Sequence, residues 1–253
     1  MAGMLRLERQ APLAILTLDR PPANALNRDF FVELCAVLPS LAAADVRAVV
    51  VTGTGRFFSA GLDLFAVFAY PPAAFDVFIA RFDEAYAALF AFPKPVVAAI
   101  NGHAIAGGAV LAAATDLRLI ADGAGRMGLT EIQVGVPFPL AIMEIVRFAC
   151  AGPSLSELLY HGRTYPPPDA CMHRLADELV RPEELLARAV ERAEALAVHD
   201  PTAFAHVKLE LRAPALRRME TFRPGEDPIW DLWRSPETRA AVAAYRERTL
   251  GKR

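Results

Sequence analysis

Residues 96–122, VVAAINGHAIAGGAVLAAATDLRLIAD, constrain the fold of this 253-residue chain more than any other stretch. A β-branched apolar run follows Lys94-Pro95 and predicts a buried strand. It crosses Asn101-Gly102 and Ala106-Gly107-Gly108 and enters an alanine-rich segment that predicts a helix to Ala114. A strand that passes through small residues into a helix leaves the first helical N–H groups without intrahelical partners, with the positive end of the helix dipole behind them. Such an end binds anions or oxyanions. At Gly107 and Gly108 the missing Cβ lets a ligand lie against the backbone.

Two phosphate-binding patterns fail on their own residues. Gly102 and Gly107 have P-loop spacing, but Gly108-Ala109 stands where a lysine and a magnesium-binding hydroxyl are needed. Gly53-Thr54-Gly55 follows a strand predicted at 48–52, as a dinucleotide fingerprint would, yet its third glycine position is Phe58, too bulky for close packing. Basic residues are scattered, and the net charge of −2 leaves no nucleic-acid footprint. Cys35, Cys150 and Cys171 have neither paired nor metal-ligand spacing and fit a reducing compartment. The start MAGMLRLERQ is charged too early for a secretory signal. Asn101, His103 and the glycines break the apolar stretch at 96–114 that would otherwise raise a membrane question. The expectation is a cytoplasmic protein with no nucleic-acid and no membrane partner.

Hydrophobic residues make up 54% of the chain, enough for a large core. Strands are predicted at 5–9 and 14–20, then an extended loop through Pro21-Pro22. Asn27 is placed to cap a helix that carries Phe30, Phe31, Leu34 and Leu38 inward and that Pro39 is expected to interrupt. Residues 48–52 read as a strand buried on both faces, 53–63 as a glycine-rich loop, and 75–92 as a helix. A strand at 117–121, a short one at 126–128, a loop at 129–139 containing Glu131 and a helix at 141–149 follow. Short helices are then expected at 154–160, 182–197, 202–212 and 236–248, the last apolar enough at 240–245 to cover a neighbouring subunit. The fold class is α/β, with a core over residues 1–190 and a helical C-terminal segment over 191–253. Strand–loop–helix alternation places a ligand at loops along one edge of the sheet.

Several motifs stand in a particular order: Asn24-Ala25-Leu26, then Phe58-Ser59-Ala60-Gly61-Leu62-Asp63, then Lys94-Pro95, Asn101-Gly102 and Ala106-Gly107-Gly108, and then Asp116. With these the chain resembles the crotonase (enoyl-CoA hydratase/isomerase) superfamily over nearly its whole length. The resemblance implies a ββα spiral core, a C-terminal segment for trimerisation and site closure, and a homotrimer or hexamer. It implies a coenzyme A thioester as substrate and no metal or redox cofactor. It also implies an oxyanion hole made by the backbone N–H groups of Leu62 and Gly107. Contacts to the coenzyme A are carried to Ala25, Ser59, Ala60, Leu62 and Gly107. Asn24 and Asp63 also fit turn or cap roles, and Asp116 fits a structural one.

The acid–base groups decide the reaction. Hydratases of this family use two glutamates. The position of the first is Val110 here, and the second is present as Glu131. Valine can neither orient water nor transfer a proton, so hydration loses one of its two general catalysts. One carboxylate is enough to move a double bond from the 3 to the 2 position of an enoyl thioester. SAGLDL at 59–64, the aliphatic Val110 and GLTEIQVG at 128–135 resemble the mitochondrial-type Δ3,Δ2-enoyl-CoA isomerases. Phe65, Phe68, Val110, Phe138 and Leu140 are candidates for the acyl pocket. His103 reads as a packed histidine, since no Asp, Ser or metal spacing accompanies it. Thioester hydrolysis, decarboxylation, weak hydration and non-catalytic acyl-CoA binding remain as alternatives.

Overall fold

A computed structural model describes residues 3–150, 152 and 154–250. The chain starts with β1 (Leu5–Gln10) and β2 (Leu13–Leu18), an antiparallel pair in which β2 is wholly buried. Helix α1 (Arg28–Leu41) begins at Asn27, whose side chain accepts the Phe30 N–H at 3.0 Å. Pro39 does not interrupt it. A proline in the last turn removes a single backbone bond, and buried Leu38 and Leu41 hold the turn against the core.

Strand β3 (Ala48–Gly53) then lies parallel to β2, and the chain crosses to β4 (Phe57–Ser59) in a second sheet before α2 (Leu64–Ala69) and α3 (Pro72–Phe90). The same path repeats. Strand β5 (Val96–Ile100) joins the first sheet, β6 (His103–Ile105) the second, and α4 (Gly107–Ala113) follows. A third turn runs through β7 (Leu117–Ala121), β8 (Met127–Gly128), α5 (Glu131–Val134) and α6 (Leu140–Ala149). The large sheet has the order β1-β2-β3-β5-β7 and the small one β4-β6-β8, so each turn of the spiral is strand, strand, helix. The crossing between sheets is tight: a Cβ on Gly102 would lie 2.1 Å from Arg56 O.

Parallel strands covered on both faces bury every side chain. Val49 and Val51 face a large core with α1, α3 and α6, whereas Ala48, Val50, Val97 and Ala99 face the other way. After α7 (Ser154–His161) and α8 (Pro167–Met172), β9 (Glu178–Val180) extends the large sheet beside β7. Helix α9 (Leu185–Ala197) covers the sheet's other face with Leu185, Ala189 and Ala193. The boundary expected at residue 190 therefore falls inside one helix.

Helix α10 (Pro201–Met219) is bolted to the central unit by two buried cations. Lys208 Nζ and Arg212 Nη2 meet the Asp116 carboxylate at 2.7 and 2.8 Å, and Asp116 also accepts the Val96 N–H at 2.8 Å. Asp116 is thus structural. Helices α11 (Ile229–Arg234) and α12 (Pro236–Leu250) close the chain. In the apolar part of α12, Val242 is buried and Ala241 abuts Gly135 at the end of α5, while Ala240, Ala243 and Ala244 stay exposed. No described helix is long and apolar enough to cross a membrane.

Candidate active site

The loop before α2 and the start of α4 meet through glycine. Gly61 has φ 81°, and a Cβ there would lie 2.6 Å from Ile105 O and 3.2 Å from Gly107 N. Around it the backbone donors are nearly all in use. Ala60 N–H donates to Ala23 O at 2.9 Å, Gly61 N–H to Ser59 Oγ at 3.1 Å and Asp63 N–H to Leu26 O at 2.8 Å. Leu62 N–H, in the middle of that run, has no acceptor among the described residues. Gly107 N–H has none either. It opens α4 behind Ala106, which is held at φ 49° and ψ −124°, a region an alanine rarely occupies. Ala106 is fixed there by its N–H to Gly128 O at 2.8 Å and its O to Val110 N–H at 3.0 Å. Below it, the buried Tyr86 hydroxyl donates to Gly107 O at 2.7 Å.

Leu62 and Gly107 both line a cavity of about 900 Å³. Ala25, Ala60, Val110 and Glu131 line it too, as do Arg20 and Arg56. Ser59 does not. It is fully buried, and its hydroxyl donates to Asn24 O at 2.7 Å while accepting Gly61 N–H, so it shapes the loop instead of touching a ligand. Asn24, at φ 49°, spends its amide on Thr54 O and Phe57 O, pinning the loop after β2 to the one after β3. Asp63 caps α2 and pairs with Arg20 Nη2 at 2.7 Å.

Glu131 opens α5 and is 9% exposed. Its Oε2 has no hydrogen-bond partner among the described residues. Burial pushes its carboxyl up to about 8, against a smaller opposing effect of its own N–H. Asp63 and Glu131 are the acids on this wall, and Asp63 is tied to Arg20. The loop expected at 129–139 is one helical turn at this point, too short to show a period, and it gives Glu131 a defined direction.

Of the acyl-pocket candidates, Phe65, Val110 and Phe138 are on the wall. Phe68 and Leu140 are not: Phe68 stacks on Trp233 at 5.9 Å, and Leu140 N–H starts α6 by donating to Asp227 Oδ2 at 2.7 Å. His103 is also off the wall, packed on the Phe57 ring at 4.9 Å, and burial lowers its pKa, helped by Arg56 and Arg126. Wall residues with no counterpart in the sequence reading include Phe82, Ile142, Trp233 and Tyr245. The chain has two tryptophans, Trp230 and Trp233, three apart on one helix face; that spacing was the available signal. For Tyr86 the signal was a hydroxyl inside an apolar helical stripe, which needs a partner once buried.

An unpaired pair of backbone donors beside one neutral-leaning carboxyl can stabilise an oxyanion and shuttle a proton. Residues 8–250 match the family described as enoyl-CoA hydratase/isomerase. The chain is 37% identical over 179 residues, 70% of its length and 69% of the relative's, to the probable enoyl-CoA hydratase EchA17 of Mycobacterium avium. It resembles the crystal structure of the probable enoyl-CoA hydratase EchA3 of Mycobacterium tuberculosis at 30% identity and TM-score 0.81, covering 87% of this chain and 92% of that one. The human mitochondrial Δ3,Δ2-enoyl-CoA isomerase shares its fold at TM-score 0.94 and 24% identity, covering 99% and 100% of the two chains.

Proposed function

The chain belongs to the enoyl-CoA hydratase/isomerase family, and from that premise we propose that it moves the double bond of an enoyl-CoA from the 3 to the 2 position. It is a crotonase-fold acyl-CoA enzyme; the finer reading rests on one observation. The cavity wall carries a single unpaired carboxylate, Glu131, and on the same wall an aliphatic Val110 stands where a hydratase would need its partner.

In this reading the thioester oxygen sits between the N–H groups of Leu62 and Gly107. Glu131 as carboxylate takes a proton from C2, and the electrons move into a dienolate whose oxygen those two donors and the α4 dipole stabilise. The protonated Glu131 then returns the proton to C4, and the double bond ends in conjugation with the thioester. Nothing is consumed. Apolar neighbours keep water from the dienolate. Ala25 and Ala60 offer main-chain contacts to the coenzyme A, while α11 and α12 close the acyl side. The assembly expected for this reading is a homotrimer or hexamer, which light scattering checks.

The test gives the purified protein a 3-enoyl-CoA and follows the absorbance of the conjugated 2-enoyl thioester, with a 2-enoyl-CoA hydration assay alongside. Conjugated product, lost in Glu131→Gln and without water addition, is the expected result. Hydration at a comparable rate would overturn it in favour of the activity named for several relatives. Tight acyl-CoA binding with no conversion would overturn it in favour of hydrolysis, decarboxylation or binding alone.

A further inference from the structure

Trp233 belongs to the cavity and to the rigid core at once. It lines the same wall as Glu131, Val110 and Ile142, yet it is only 2% exposed. Its indole N–H donates to Pro137 O at 2.9 Å, so its face offers a ligand no polar group. One ring face stacks on Phe68 with the planes 10° apart, and Trp230 packs against it at 5.1 Å. Trp230 is itself held, edge-on to Phe82 at 5.4 Å and bonded through Nε1 to Asp83 Oδ2 at 3.0 Å. A side chain hydrogen-bonded and braced on two sides cannot swing aside. Packed aromatic clusters of this kind have a fixed shape.

We infer that Trp233 is the length stop of the acyl channel, so that the enzyme takes unsubstituted hydrocarbon chains up to a set length and rejects longer ones. The inference deepens the isomerase reading and rests on it only for the identity of the reacting end. An apolar wall rewards each methylene that reaches it by about fourfold in affinity, equivalent to ~0.8 kcal/mol. A braced indole ends that gain abruptly, because a further methylene must displace packed aromatic rings.

The experiment measures calorimetric affinity for saturated acyl-CoAs of increasing length, together with kcat/KM for the matching 3-enoyl-CoAs. Wild type is expected to gain about fourfold per methylene to a break, then flatten or fall. Trp233→Ala should carry the rise beyond that break, with the longest chains bound at least about tenfold tighter than by wild type, which takes two more methylenes at the same increment. Trp230→Phe alters the same cluster without touching the wall, so its break should stay in place. If Trp233→Ala does not fold, Trp233→Leu carries the same expectation at smaller amplitude. A break at an unchanged length in the Trp233 variant, or no break in wild type, overturns the inference. Because saturated chains bind without reacting, an intact break with no isomerisation would count against the reaction and leave the length stop standing.

Discussion

At the scale of single residues, Glu131 is the base of the proposed reaction, and its burial makes a pH signature. Its pKa of about 8 lies above the ordinary 4.5, and the proposed step needs the carboxylate. The kcat/KM of the free enzyme should therefore rise with pH to a plateau above about 8. A pH–rate profile that is flat from pH 6 to 9 would contradict the raised pKa of Glu131. Glu131→Gln should lower turnover by at least about 10²-fold, the usual contribution of a positioned acid–base group. Tyr86 touches no cavity surface but holds Gly107 O. Tyr86→Phe should lower kcat by about tenfold, the loss of one buried neutral hydrogen bond, with KM nearly unchanged, since the hole matters most once charge develops. That Glu131, Leu62 and Gly107 meet at one cavity was legible in the sequence because ordered short motifs carried them. Tyr86 and Trp233 were legible only as aromatics bound for the interior, because the contacts that place them, to Gly107 O and Pro137 O, join distant parts of the chain that no local pattern encodes.

At the scale of elements, the apolar strands and amphipathic helices were readable, and of the short pieces at the site only β8 was. β5 is a continuous apolar run and α3 shows a clear helical period, whereas β6 has three residues and α5 four, fewer than a pattern needs to declare itself. Those short pieces are what position the site. β6 carries the chain into Ala106, and α5 presents Glu131. The close approach of α4 to β4 is equally strict: a Cβ on Gly108 would lie 2.4 Å from Ser59 O. Gly108→Ala must displace backbone, so it should abolish turnover and lower the melting temperature, both measurable on one preparation. Asp116 joins α10 to β5 and α4. Asp116→Asn would leave Lys208 and Arg212, 6% and 3% exposed, short of their counter-charge. Breaking a buried ionic cluster this way typically costs about 3–5 kcal/mol, and denaturant titration would read it.

At the scale of the whole molecule, two buried carboxyls set how stability follows pH. Desolvation pushes Asp83 up to about 6 and Glu131 up to about 8. A group whose pKa is higher folded than unfolded binds its proton more tightly in the native state. Its stabilisation is complete below the unfolded value, ordinarily 3.8 for Asp83 and 4.5 for Glu131, and is lost as pH rises through the folded value. Chemical denaturation should thus show stability falling from about pH 4 towards 8 from these groups, and Glu131→Gln should flatten the upper part of that fall. Equal pH slopes for the variant and wild type would contradict the burial of this carboxyl. The difference between variant and wild type isolates Glu131 and is the quantity to compare.

Helix α12, lying across its own chain's cavity with Tyr245 and Thr249 on the wall, has a consequence for mixtures. Glu131, Leu62, Gly107 and the α12 residues of this wall belong to one polypeptide, so each copy carries its own proposed base, donors and cover. If wild-type and Glu131→Gln copies are unfolded together and reassembled, total turnover should track the fraction of intact copies in a straight line. A poisoned copy would silence itself and spare the rest.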